Sequence, residues 1–408
     1  MTAQLPLSQL PRPVQECPVA RKYLALLGDL NWTHFPERPT QRPWPGPTPA
    51  PRAPFAAAFL VKLEEQIPTF GKLRSFLVNH PALVWVLGFP LTPANRSPWG
   101  FDVARAVPSR KQLCRVLRDL DNAALQFLLT ASVTCIATVL PPDLTWGDTI
   151  ALDTQHILAW VKENNPKTFI ADRFDKQRPP KGDPDCRLGR KRRENCAPAA
   201  LADDAPVSPT PHSQGTPASH TLPKLHKGEF YWGYASGIVV TKLDSLAEVV
   251  LAELTQPFDQ SDQSFFLPLM QRTQANLGRR PRFGALDKAN DAFYVYEYFH
   301  RAGGFAAVPW ADRATHLKSF SPEGLPLCHA GLPMPLKSTF WQQYHCLVPH
   351  EVGRYTCPAA HNGAVACPIH HPNAAKPGGC ITSLPTSPGT RVRHELDRKS
   401  EAFTRLYN

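Results

Sequence analysis

The chain has 408 residues, 42% of them hydrophobic, and carries a formal net charge of +11 at pH 7 with a pI near 9.2. That length supports two or three domains with sizeable cores, while 45 prolines, about double the average share, imply poorly ordered stretches between them. "MTAQLPLSQLPRPVQECPVA" lacks the basic start and apolar core of a secretory signal, so ten cysteines argue for reduced thiols in the cytosol, and the charge favours nucleic acid over membrane as partner.

Residues 1–54 begin with helical potential around "ARKYLALLGDL" and pass into "PERPTQRPWPGPTPAPRAP", an extended polyproline-like linker. Residues 55–142 turn apolar. "FAAAFLVKLEEQI", "FGKLRSFLVNHPALVWVLGF" and "SRKQLCRVLRDLDNAALQFLLTASVTCIATVL" predict a small helical domain. Ser109 ahead of Leu113, Val116 and Leu117 reads as a helix start with a buried stripe. "AALQFLLTASVTCIATVL" (123–140) is at the lower limit for a membrane span and carries Gln126 with several Thr and Ser, so it is read as a buried helix.

"TIALD" then predicts a strand ending on Asp153. The following "RFDKQRPPKGDPDCRLGRKRRENC" (173–196) has nine Lys or Arg against four acids and opens a basic, disordered insertion over about 173–228. "EFYWGYASGIVVTKL" and "AEVVLAEL" are strand-like. "DQSFFLPLMQRTQANL" places Phe266, Leu269, Met270 and Thr273 on one helical face. A strand, "RFGALD", a helix with Ala292, Val295, Tyr296 and Phe299 at helical spacing, and a strand, "FAAVP", complete the pattern. The expected fold is therefore α/β, a mixed sheet with flanking helices, after a small helical domain. Residues 311–390 form an irregular Cys/His-rich insertion, and "RHELDRKSEAFTRLYN" (393–408) is basic and helix-prone.

Asp153 and Asp287 each end an expected internal strand. If the two strands are neighbours, their carboxylates emerge together. Such repulsion is tolerable when divalent Mg²⁺ or Mn²⁺ neutralises it, and the pair could then serve phosphodiester chemistry, with Lys288 suited to phosphate. The plainer reading makes both acids helix caps or loop residues.

In order, "IALDTQHILAW", "KGDPDCRLG", "FYWGYASG" and "RFGALDKANDAFYVYEYFHRAGGFAAVP" resemble a bacterial insertion-sequence transposase of the DDE type, whose catalytic domain is RNase H-like. The resemblance covers roughly 55–310 and 391–408. It implies a helical domain over 55–142 that binds element ends or a second copy, forming a homodimer. It implies an RNase H-like domain over 143–310 and 391–408, with Asp153 and Asp287 as catalytic metal ligands. DNA would be the partner, as terminal inverted repeats and target, and the location the bacterial cytoplasm, at the nucleoid. The family also places a glutamate on a helix after the last strand, within a motif like Y-x-x-R-x-x-x-E. Tyr407 fits that motif, so the Arg and Glu are expected beyond Asn408, and catalysis would be impaired without them. Glu395 and Glu401 match the wrong positions and read as helix-surface residues. The second reading is a non-catalytic DNA-binding remnant, zinc-stabilised.

The run "RLGRKRR", with Arg187, Arg190, Lys191, Arg192 and Arg193, could grip DNA phosphates without reading bases, or be a solvated loop. Phe230, Tyr231, Trp232 and Tyr234 read as strand core before base-stacking residues. Cys367 with His370 or His371, plus Cys357 and His361, could hold zinc, the alternative being free thiols, since no C-x-x-C pair occurs there. His156 reads as a packed or exposed histidine. Neither a G-x-S-x-G nucleophile nor a phosphate-binding glycine loop is present.

Overall fold

The computed structural model describes residues 7–38, 50–141, 144–191, 229–243, 247–311, 318–359, 366–369, 371–375 and 379–408. The chain divides into two compact units. One comprises Met1–Gly147, Thr241–Ala252 and Thr273–Arg279; the other comprises Asp148–Val240, Glu253–Arg272 and Arg280–Asn408.

The first unit contains α1 (Arg12–Glu16), α2 (Pro18–Gly28), α3 (Ala53–Glu64), α4 (Phe70–Asn79), α5 (Pro81–Leu87), α6 (Val103–Ala106), α7 (Arg110–Asp119) and α8 (Asn122–Val139). Side-chain oxygens of Thr69, Asp102, Ser109 and Asp121 accept from backbone N–H groups in the first turns of α4, α6, α7 and α8. Donors that a helix start leaves orphaned are thereby satisfied. The N-terminal segment is not a separate region, as composition implied, but part of this core. Val14, Tyr23, Leu27 and Trp32 are buried with Phe55, Leu73, Leu83 and Leu113. Tyr23 donates to Glu65 at 2.6 Å, and Glu37 accepts from the backbone N–H groups of Arg52 and Ala53 that open α3. Residues 39–49, most of the expected linker, lie outside the described residues.

Helix α8 departs from expectation. Of its side chains only Ala124 and Val133 are buried, while Leu125 and Val139 are exposed. It is apolar around its whole circumference, so no single face can bury all of it. By length and composition it is long and apolar enough to cross a membrane, and no other helix among the described residues is.

The second unit is a mixed α/β layer structure. The large sheet contains β1 (Thr149–Leu158), β2 (Arg187–Lys191), β3 (Glu229–Leu243), β4 (Ala247–Pro257), β5 (Phe283–Leu286) and β6 (Phe305–Ala307), ordered β2-β3-β1-β5-β6 with β4 also on β3, and the end of β3 and the start of β4, within Thr241–Ala252, count with the first unit. Strand β1 runs antiparallel to β3 and parallel to β5, and β5 parallel to β6. Helices α9 (Gln263–Leu277) and α10 (Phe293–His300) are the connections. The expected faces are buried: Phe266, Leu269, Met270 and Thr273 on α9, and Val295, Tyr296 and Phe299 on α10. Gly284 admits the Phe299 ring, since a Cβ there would lie 2.3 Å from it.

Two expectations about this sheet need correction. Strand β1 does not stop at Asp153 but continues to Leu158, held by β3. Only its pairing with β5 stops, at Leu152–Leu286. Nor is the start of the basic insertion disordered. Arg187–Lys191 is strand β2, and Cys186 and Leu188 are buried with Ala159, Val161 and Trp232. Trp232 Nε1 donates to the Arg173 carbonyl at 2.7 Å, and the Asn164 amide brackets the Trp232 backbone. A buried tryptophan with satisfied polar groups outweighs the local charge. Residues 192–228 lie outside the described residues.

The Cys/His-rich segment contains an antiparallel sheet of β7 (Leu336–Gln342), β8 (His350–Thr356) and β9 (Ile381–Pro385). Helices α11 (Pro388–Glu395) and α12 (Glu401–Tyr407) follow, α11 against α10 and α12 beside β5 and β6. Asp291, whose side chain is fully buried, anchors α11. Its oxygens accept both Arg393 Nε and Nη2 at 2.8 Å, Tyr296 Oη at 2.8 Å and the Ala311 N–H at 3.0 Å.

Candidate functional site

The parallel register of β1 and β5 pairs Ile150 with Gly284, Ala151 with Ala285 and Leu152 with Leu286. Asp153 and Asp287 are the next residues on the two strands beyond this ladder, and the charge of Asp153 is felt at Asp287. Parallel neighbours lie about 4.8 Å apart, and equivalent positions point to the same face. A partly buried clamp at the strand starts holds this register. Arg282 Nε and Nη2 grip the Asp148 carboxylate at 2.8 and 2.7 Å, and the Asp148 carbonyl accepts the N–H groups of Arg282 and Phe283. A one-residue slip would send one aspartate to the opposite face.

Beyond this ladder the backbone of β5 turns into Lys288–Asn290, leaving one edge of β1 open at Asp153. Asp153 accepts its neighbour's amide, Thr154 N–H, at 2.7 Å. Asp287 accepts from Asn290 Nδ2 at 2.7 Å. Desolvation raises the Asp287 pKa above the usual carboxylate range, Asn290 opposes it, and the negative charges of Asp262 and Asp153 raise it further.

Asp262 was not singled out from sequence. It directly precedes α9 and accepts from Thr154 Oγ1 at 3.3 Å. An acid ahead of an amphipathic helix looks like an ordinary helix start, so only the spatial return of this loop to β1 makes it part of the site.

The donors fit a hard divalent cation. They are carboxylate oxygens on adjoining strands, and the buried Asn290 Oδ1 beside Asp287 has no hydrogen-bond partner. Among the described residues no three His, Cys, Asp or Glu side chains stand together in ligating geometry. Mg²⁺ characteristically takes one or two protein carboxylates and completes its shell with water and substrate phosphate.

The other expected residues are placed as follows. Lys288 is exposed immediately after Asp287. Arg187, Arg190 and Lys191 lie on β2, opposite Gly233, Phe230 and Glu229 of β3, whereas Asp153 is opposite Ile238. The basic strand is thus five to nine residues along the sheet from the carboxylates, about 17–30 Å at 3.3–3.4 Å per residue. Arg190 lies over the exposed Phe230 ring at 5.6 Å, while Arg187 Nη1 donates to the carbonyls of Pro184 and Cys186. Arg192 and Arg193 lie outside the described residues. Glu395 pairs with Arg391 at 2.8 Å, and Glu401 is exposed in the first turn of α12. His156 packs against Phe258, ring centroids 4.2 Å apart. Of the aromatic cluster, Trp232 and Tyr231 are buried and Phe230 is exposed.

Comparison with known protein families, curated proteins and solved structures finds no match.

Proposed function

We propose that this chain is a DDE-type DNA strand transferase of the insertion-sequence kind, built on an RNase H-like core and acting at the bacterial nucleoid. The observation that carries this reading is the parallel register of β1 and β5, whose last pair, Leu152 with Leu286, directly precedes Asp153 and Asp287. The order β4-β3-β1-β5-β6, with an antiparallel half and a parallel half meeting at β1, supports it as well.

Asp153 and Asp287 would hold Mg²⁺ or Mn²⁺, which when bound supplies an activated nucleophile and charge stabilisation at the phosphate. The two carboxylates would fix that cation at the open edge of β1, where the scissile phosphate would meet it. Lys288 adds positive charge where the phosphate arrives, and Asp262 adds negative charge that favours a bound cation. Arg187, Arg190 and Lys191 grip backbone phosphates about 17–30 Å from the chemistry, a distance that duplex DNA readily spans.

The test uses purified protein, DNA bearing the terminal repeats that flank its gene, and Mg²⁺ or Mn²⁺. With no third acid in ligating geometry among the described residues, weak metal-dependent nicking and strand joining, lost in both Asp153→Asn and Asp287→Asn, is the expected result. A second reading, a DNA-binding remnant without catalysis, is favoured by the absence of a third gathered acid among the described residues. DNA binding with no cleavage under any divalent cation would select it.

A further inference from the structure

We propose that Cys328, Cys357, Cys367 and Cys380 form a structural zinc site at the end of the β7–β8–β9 sheet. All four line one small cavity of about 10 Å³, together with His329 and His371. That volume suits a single ion or water. The ligand set differs from the one that local spacing implied, because Cys357 and Cys380 meet at the end of a strand pair and the other two arrive from separate turns rather than from neighbouring positions in the chain. His361 and His370, the other ligands considered from sequence, lie outside the described residues.

The backbone explains the convergence. Cys357 follows β8 and Cys380 precedes β9, whose antiparallel register ends on Thr356 opposite Ile381. Cys357 and Cys380 are the next residues beyond this ladder, and their side chains are within hydrogen-bonding reach of one another. Cys328 sits in a tight turn in which its carbonyl accepts the Gly331 N–H and its own N–H reaches the Leu332 carbonyl, both at 2.9 Å. Gly331 has φ +75°, which favours glycine. The chain leaving this turn accepts the Thr356 N–H at the Pro335 carbonyl, so the turn is tied to the end of β8. Cys367 reaches the same cavity from its own short turn.

Tetrahedral zinc–thiolate bonds place sulfurs about 3.8 Å apart. The four thiols surround the cavity without yet standing at ligand spacing. His371 Nδ1 already accepts the Asn373 N–H at 3.2 Å and lies 3.4 Å from Cys380 Sγ, so it serves as an outer partner.

Stability supplies an independent reason. Over the described part of 318–385 the buried hydrophobic side chains are Met334, Val352 and Cys357, and every side chain of β7 is exposed or half-exposed. A three-stranded sheet with so little core needs a staple, and a structural metal is one.

The site does not depend on the strand-transfer reading. Full-length protein purified without chelator should contain about one zinc per chain, and the Asp153→Asn/Asp287→Asn double variant should keep it. Thiol modification of the native protein should release that zinc to a chromogenic chelator. Replacement by Co²⁺ should give the intense visible bands and sulfur charge transfer of tetrahedral thiolate coordination. Cys328→Ser and Cys367→Ser should each lose zinc at least tenfold, whereas His371→Ala should retain it. Metal-free native protein, a Cys357–Cys380 disulfide in the unreduced chain, iron with sulfide in place of zinc, or undiminished zinc in both serine variants would each overturn the proposal.

Discussion

Replacing Arg393 with alanine probes the contact that joins α11 to the layer carrying Asp287. The Asp291 side chain is fully buried and that of Arg393 is 20% exposed, with two hydrogen bonds of 2.8 Å between them. Removing one partner of a buried pair leaves an uncompensated charge and costs about 3–5 kcal/mol. Here Tyr296, Ala311 N–H and the more distant Arg398, at 3.8 Å, remain with the carboxylate, so the low end of about 3 kcal/mol applies. For a unit of this size that corresponds to a melting temperature lower by about 6–12 °C. Trp310 lies 4.6 Å from the Arg393 guanidinium and 4.8 Å from that of Arg398, so its fluorescence reports on the same locus during urea unfolding. Arg393→Lys should recover only part of the loss, because an ammonium cannot make the paired contact. Arg12→Ala is the control: its bond to Glu16 is 2.6 Å, yet both side chains are mostly exposed, so the cost is about 0–1 kcal/mol. If Arg393→Ala cost no more than Arg12→Ala, burial would not govern the strength of this pair, and the account of how α11 is held would fail.

The remaining predictions concern protonation, packing and phosphate contact. His394 is buried beside Arg393, and burial followed by that charge lowers its pKa to about 4. The unfolded chain therefore binds the extra proton between about pH 6.5 and 4, and stability falls over that window by up to roughly 3 kcal/mol. His394→Gln should remove this component from a pH series of urea midpoints. Asp291 acts in the same direction: burial raises its pKa, but Arg393 and its other donors outweigh that and leave it lowered, so its contribution too is lost as pH falls through that lowered value. The raised pKa of Asp287 means its ionised form is disfavoured in the fold at neutral pH, a cost relieved as pH falls through the raised value. Asp287→Asn should accordingly raise the melting temperature in chelator and abolish the further rise that Mn²⁺ gives the parent; a lower melting temperature in chelator would contradict the crowding of acids. Gly284→Ala should destabilise by about 1–3 kcal/mol, measured by denaturant titration, because its Cβ would meet the packed Phe299 ring at 2.3 Å. Arg190→Ala and Lys191→Ala should each flatten the salt dependence of DNA affinity by about one phosphate's share in fluorescence anisotropy titrations, without changing sequence preference.

Local pattern alone determined much of this protein. Alternating β-branched and aromatic residues define β3 and β4, helical spacing selects the buried faces of α9 and α10, and Ser109 marks the start of α7 as a side-chain cap. Such features depend on residues within a few positions of one another, and a linear reading sees them directly. It also brought out Asp153 and Asp287, since an acid is conspicuous after an apolar run. Only the tertiary structure decided that β1 and β5 are parallel neighbours in a register that ends one residue before those acids, and that Asp262 returns to Thr154 of β1. The basic stretch misled for a related reason: Cys186 and Leu188 within it pack around Trp232, a residue more than forty positions away. Cys357 and Cys380 likewise meet at the end of the β8–β9 ladder rather than through any short spacing. Strand pairing joins residues without regard to their separation in the chain, and its register follows from side-chain burial summed over whole strands, which no short stretch contains.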